Sequence, residues 1–153
     1  MSCAECGFAI AEGTAGCQRA FDELVARDFS NALYGRWHRL LVDVYALQHA
    51  ERYCASAKSL AAHLGGLCCA LERGGDAETY RALQRSLNGA KTFAKPAVPR
   101  ARGELTIASV LPVTDPRAYG RGAGTLGASH LAGVCAAALP GAGVPEGLKV
   151  PGT

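Results

Sequence analysis

The feature that most constrains this chain is a pair of cysteines near its start, Cys3-Ala-Glu-Cys6, followed directly by Gly7. Two thiols separated by two residues can bind one metal ion from a single turn. A glycine after the second cysteine lets the backbone curl so that its amides point at the thiolates. This spacing is typical of a zinc knuckle, a short segment that folds around its metal.

Two further side chains complete the predicted site. Cys17 is the candidate for the third ligand and His38 for the fourth. Zinc held by three thiolates and one imidazole is closed and structural, and it stabilises a segment with little core of its own. The alternatives are incidental thiols near a frayed terminus or a redox-active pair, which is disfavoured because no strand precedes Cys3. The sequence therefore predicts one zinc ion on Cys3, Cys6, Cys17 and His38, in a knuckle of residues 1–17.

Length and cysteine content limit the class of protein. A chain of 153 residues can form one domain with its own core. Its seven cysteines are odd in number and clustered unlike a secreted disulfide framework. The first residues have neither the basic nor the apolar region of a secretory signal, and no apolar run is long enough to span a membrane. We expect a cytoplasmic protein with no membrane partner.

Apolar periodicity predicts a mostly α-helical domain of four to five helices over residues 1–119. Residues 105–111 could form a short strand or the start of a helix. From residue 120 to 153 the chain is rich in glycine and alanine and has no aromatic residue, which indicates a flexible tail in which 129–139 could form one helix. The first four predicted helices cover approximately residues 17–29, 36–48, 56–72 and 76–87.

The charge of the chain is unevenly distributed. The formal net charge is +3, and basic residues predominate over residues 91–121. Such a stretch could contact phosphate or an acidic partner, but a solvated linker is the simpler interpretation. Its only aromatic residues are Phe93 and Tyr119, so a base-stacking surface is not evident. The sequence does not favour a nucleic-acid partner and leaves a protein partner open.

A second group of polar residues recurs along the predicted second helix. His38, Tyr45 and His49 share one stripe at helical spacing. His63 lies on the next predicted helix and could approach them in an antiparallel hairpin. Two or three histidines would form an open metal site that can activate water, although ordinary hydrogen-bonded histidines are the simpler interpretation. Catalytic candidates are therefore His49, His63 and Tyr45.

Several strings of the chain, taken together, resemble an uncharacterised bacterial family, domain of unknown function 5946. The resemblance covers about residues 3–75, with a weaker echo at 105–115, and it implies no activity. Similar chains usually continue into a tryptophan-containing helix after the Asp-Pro of residues 115–116, whereas this chain has no tryptophan there. The matching strings are Cys3-x-x-Cys6-Gly7, Cys17 with Phe21-Asp22, Tyr34-Gly35-x-x-His38-Arg39-Leu40, Val42-Asp43-x-Tyr45-Ala46-Leu47-Gln48-His49, and Ser56-Ala57-Lys58-Ser59 with His63-Leu64.

Two functions are consistent with these patterns. The first is a small zinc-binding protein in which structural zinc supports a binding or regulatory module. The second is a metal-dependent, hydrolytic enzyme with its metal on His38, His49 and His63. The two differ in the position of His38, which lies beside the three thiols in the first and beside the other histidines in the second.

Overall fold

A computed structural model describes residues 1–89 and 104–138, with residues 131–138 described by their backbone alone. The prediction of a mostly helical fold is confirmed, because the described residues form helices and one isolated antiparallel bridge between Ser2 and Ala9. None of the described helices is long and apolar enough to cross a membrane. In chain order the elements are α1 (Gly13–Ser30), α2 (Ala32–Gly35), α3 (His38–Gln48), α4 (Ala50–Tyr53), α5 (Ala57–Glu72), α6 (Ala77–Asn88), a 3₁₀ turn (Ile107–Ser109) and α7 (Pro116–Ala138).

Helices α1 and α3 form an antiparallel hairpin, with the short α2 in the connection. Three residues spaced four and then seven positions apart lie on one face of α1. The α3 residues that they contact have the same spacing in the reverse direction, and they also lie on one face. The start of α1 therefore lies beside the end of α3. The facing pairs are Cys17 and His49, Phe21 and Tyr45, and Asp28 and His38.

Helix α5 packs against α3 through a stripe of leucines. Leu60 and Leu67 are fully buried, and α3 buries most of its own residues from Leu40 onward. The start of α5 is fixed by a capping box, in which Ser56 and Ser59 each accept a hydrogen bond from the other's backbone amide. The start of α6 is fixed by Asp76, whose carboxylate accepts hydrogen bonds from two backbone amides of the first turn.

The C-terminal helix differs from the sequence-based expectation. Residues from 120 onward were expected to form a flexible tail, but α7 runs from Pro116 to Ala138, so the expected boundary after residue 119 falls inside a helix. Tyr119, Ala123 and Leu126 are fully buried at helical spacing. This stripe packs against the hairpin, and the 3₁₀ turn before it buries Ile107 in the same core.

Two glycines allow α7 to approach the core closely. A Cβ atom on Gly120 would lie 2.6 Å from Nε1 of Trp37, and one on Gly127 would lie 2.9 Å from Cδ1 of Leu40. The glycines that suggested a flexible tail therefore provide space for neighbouring side chains. Residues 91–103 of the expected linker and residues 139–153 of the expected flexible tail lie outside the described residues.

Candidate metal centre

The N-terminal cysteines lie in a tight turn. The amide of Gly7 donates a hydrogen bond to the carbonyl of Cys3 (2.9 Å), and the amide of Cys3 donates to the carbonyl of Phe8 (2.8 Å). Gly7 has a φ angle of 79°, in the left-handed region that glycine adopts at no steric cost. A Cβ atom there would meet nothing within 4 Å, so the backbone angle and not the available space favours glycine.

Helix α1 starts immediately beside this turn and positions Cys17. A Cβ atom on Gly16 would lie only 2.0 Å from the carbonyl oxygen of Ala11, so the chain entering the helix passes very close to it. Cys17 follows and is fully buried. Its Sγ atom lies 3.7 Å from Sγ of Cys6. A disulfide requires about 2.05 Å between the two sulfurs, so these are separate thiols.

The end of α3 supplies the imidazole of this cluster. His49 is fully buried, and its Nδ1 donates a hydrogen bond to the carbonyl of Tyr45 (2.8 Å). In the neutral imidazole that bond leaves Nε2 as the unprotonated nitrogen, which lies 3.5 Å from Sγ of Cys3 and 3.5 Å from Sγ of Cys17. An imidazole held by a carbonyl on one nitrogen and directed to the site by the other is the usual arrangement of a metal-binding histidine.

The four ligand atoms fit the dimensions of a tetrahedral zinc site. All of them lie within 4.8 Å of one another. With Zn–S bonds of about 2.3 Å and a Zn–N bond of about 2.0–2.1 Å, a tetrahedral ion separates two sulfur ligands by about 3.8 Å, and sulfur from nitrogen by about 3.6 Å. Here Sγ of Cys6 lies 3.7 Å from Sγ of Cys17, and Nε2 of His49 lies 3.5 Å from Sγ of both Cys3 and Cys17. This buried cluster of Cys3, Cys6, Cys17 and His49 can therefore hold a metal ion.

Local hydrogen bonds favour thiolates in the knuckle. A hydrogen bond from the Cys17 thiol lowers the pKa of Cys6 to about 4. Burial raises the pKa of Cys3, but the backbone amides of Cys6 and Glu5 outweigh it, so the net effect lowers this pKa. The hydrogen bond with Cys6 and burial raise the pKa of the Cys17 thiol. Since metals bind the thiolate form, the cluster is already partly prepared for a cation.

One wall of the cluster is a stack of rings. The ring of Tyr45 lies 3.9 Å from that of His49 and 3.8 Å from that of Phe21, nearly parallel to the latter. The Tyr45 hydroxyl donates to Oε1 of Gln18, which also accepts from Tyr53. Burial raises the pKa of the Tyr45 hydroxyl, so it remains neutral. Tyr45, expected among the catalytic candidates, thus packs against the ligand histidine and shields it.

His38, expected as the fourth ligand, lies elsewhere in the structure. Its Nδ1 lies 3.1 Å from Oδ2 of Asp28, at the opposite end of the α1–α3 hairpin from the thiols. Oδ1 of the same buried carboxylate accepts a hydrogen bond from the hydroxyl of Tyr119 (2.7 Å). His38 therefore joins α1, α3 and α7 through Asp28. The antiparallel hairpin is the physical reason, because it places the end of α3, and not its start, beside Cys17.

His63 also lies apart from His49. Its Nδ1 lies 2.9 Å from Oδ1 of Asp43, a carboxylate on α3. Within the described residues the only group of ligand atoms close enough for a metal is the cluster with His49, so His38, His49 and His63 do not come together. Ser59 lies one helical turn before His63, and its hydroxyl takes part in the capping box at the start of α5.

The fold and the site define a helical protein with a buried cluster of three cysteines and one histidine that can hold a metal ion. Residues 1–131 match the family of unknown function DUF5946, so the chain belongs to that family. The match extends beyond the strings recognised in the sequence and includes most of α7. No curated protein and no solved structure matches the chain.

Proposed function

We propose that the protein binds one zinc ion through Cys3, Cys6, Cys17 and His49, and that this zinc supports a binding or regulatory module without taking part in a reaction. The observation that supports the proposal is the cluster of three thiols and one imidazole, in which one sulfur–sulfur distance of 3.7 Å and two sulfur–nitrogen distances of 3.5 Å match a tetrahedral site. Soft thiolate ligands with one imidazole favour zinc over the harder divalent cations.

The ligand set argues for a structural role. Four protein ligands fill a tetrahedral zinc ion and leave no position for water, whereas a catalytic zinc keeps such a position open. Cys3, Cys17 and His49 are buried at 1%, 0% and 0% relative exposure and Cys6 is half-buried, so a substrate could approach the ion only from the Cys6 side. The proposal includes a cytoplasmic location, because a reducing compartment keeps thiolates available to a metal.

The zinc would connect the N-terminal segment to the α1–α3 hairpin. Cys3 and Cys6 belong to the knuckle, Cys17 to α1, and His49 to the end of α3. Apart from this cluster, the knuckle has few large buried side chains of its own. Metal binding would therefore supply folding free energy that such a short segment cannot obtain from apolar burial.

A matched pair of histidine variants tests the proposal. Purified wild-type protein should contain one zinc per chain by elemental analysis, His49→Ala should lose it, and His38→Ala should retain it. Replacing zinc by Co²⁺ should give the intense visible bands of a tetrahedral thiolate site in wild type and His38→Ala. Full zinc occupancy in His49→Ala, or loss of zinc in His38→Ala with the fold intact, would contradict the ligand set.

A further inference from the structure

A second site lies on the other side of α3 from the metal centre. Helices α3, α5 and α6 line an open cavity of about 620 Å³, within the size range of small-molecule pockets. One part of its wall is apolar or aromatic and includes Val42, Tyr80 and Leu83. The cavity does not include any of the four clustered metal-ligand candidates, so its chemistry is separate from theirs.

The polar part of the wall is strongly cationic. Arg36, Arg39 and Lys58 line the cavity, and within the described part of the chain none of them forms a salt bridge. The guanidinium carbon of Arg39 lies 4.0 Å from the ring centroid of Tyr80, which holds this cation against the wall. Asp43 is the only carboxylate among the described lining residues, so three cationic side chains and one carboxylate line the cavity.

That carboxylate lies beneath the surface and orients His63. Asp43 is only 6% exposed, and its Oδ1 accepts a hydrogen bond from Nδ1 of His63. Its Oδ2 has no hydrogen-bond partner among the described residues and occupies the space beside Gly66, where a Cβ atom would lie 2.1 Å away. The hydrogen bond to Asp43 uses Nδ1 of His63, so Nε2 is the ring nitrogen that this bond does not use. The His63 side chain lines the cavity.

We propose that this cavity binds a small phosphate monoester. A phosphate monoester carries a charge of about −1.5 to −2 at neutral pH, which matches the surplus of two positive charges from Arg36, Arg39 and Lys58 over Asp43. The apolar wall accommodates the organic part of the ligand, which free phosphate lacks.

Phenyl phosphate is a suitable probe, since it combines one phosphate monoester with one ring. Calorimetric titration of the full-length, zinc-loaded protein at fixed ionic strength should show saturable binding at one site, tighter than that of inorganic phosphate. Arg36→Gln and Lys58→Gln should each weaken binding by about tenfold or more, the effect of losing a charge-assisted hydrogen bond. Both side chains are exposed, so these variants should fold normally, as checked by circular dichroism.

Arg85→Gln is the matched control, because Arg85 is exposed on α6 and does not line the cavity. This variant should change the affinity for phenyl phosphate by less than about twofold. In the wild-type protein, the backbone amide signal of Gly66, which lines the cavity, should shift when phenyl phosphate is added. Absence of saturable binding at about 10 mM phenyl phosphate would overturn the proposal. So would an equal loss in Arg85→Gln, which would indicate general electrostatic attraction, or equal affinity for inorganic phosphate.

Discussion

The two ends of the α1–α3 hairpin each pair an α1 side chain with a histidine of α3, but with different chemistry. At one end His49 faces Cys17 and two further thiols, and at the other His38 faces the carboxylate of Asp28. His49 is fully buried and its Nδ1 is held by a backbone carbonyl, whereas the side chain of His38 is 32% exposed. The comparison shows that the partner across the hairpin, and not position on a shared stripe, determines what each histidine can do.

Removing the knuckle thiols should have the largest effect on this comparison. The double variant Cys3→Ser/Cys6→Ser should lose its zinc and the binding free energy of order ~10 kcal/mol that such sites supply at neutral pH. Hydrogen exchange should then become fast in the knuckle and the first turn of α1, and remain slower at the Asp28 end. Cys68→Ser, outside the cluster, is the control and should retain zinc. Full metal occupancy in the double variant would contradict the site.

Truncation should affect the opposite end of the hairpin. Ending the chain after Tyr119 removes Ala123 and Leu126, which are fully buried. We expect a loss of more than about 4 kcal/mol in the free energy of unfolding, since one buried leucine alone is worth ~2.7–5 kcal/mol. The thermal midpoint should fall by at least about 10 °C. Ending the chain after Ala138 keeps all of α7 and is the matched control; equal midpoints for the two truncations would show that α7 contributes little.

Asp28→Ala tests the carboxylate end without shortening the chain. Both carboxylate oxygens are paired, with His38 and with the buried hydroxyl of Tyr119. Losing them should cost about 2–3 kcal/mol, because a buried hydroxyl is left without its acceptor. Chemical denaturation measures the loss, and the zinc content should stay at the wild-type value. If the zinc content of Asp28→Ala fell together with its free energy of unfolding, the two ends of the hairpin would not be independent.

The smallest expected effect concerns pH and the third histidine pair, Asp43 and His63. Burial raises the pKa of Asp43, opposed by the hydrogen bond from His63. The stabilising contribution of a carboxyl with a raised pKa is fully present below the unfolded value of about 3.9 and declines as pH rises through the folded pKa. Relative to Asp43→Asn, wild type should therefore become less stable as pH rises above about 3.9. Parallel stability curves for the two proteins would contradict this.

Local sequence patterns were sufficient where the structure is local. The turn around Cys3 and Cys6 could be predicted from spacing and from Gly7, and the helix starts at Ser56 and Asp76 from their capping side chains. These features depend on residues only a few positions apart, so their physical causes are visible in the sequence.

Features set by contacts between helices could not be predicted in the same way. The stripe that contains His38 and His49 was recognised, but choosing between its two ends requires the register of α1 against α3. The same register could have identified His49 as the ligand. In an antiparallel hairpin that turns near residues 31–35, Cys17 and His49 are equally far from the turn and therefore lie opposite each other. Likewise, the glycines of α7 were interpreted as a sign of flexibility. The side chains that they accommodate, Trp37 and Leu40, lie far away in the sequence, so this role could not be recognised.

The position of the knuckle outside the helices has a consequence for metal exchange. Two of the four ligands of the proposed zinc, Cys3 and Cys6, lie on a short arm that precedes α1, while Cys17 and His49 lie on the helical hairpin. Peeling this arm away would expose the ion and halve its coordination without unfolding any helix, since local opening costs less than global unfolding. Zinc release to a chelator should therefore be faster than global unfolding, and its rate should be set by local opening of the segment that precedes α1.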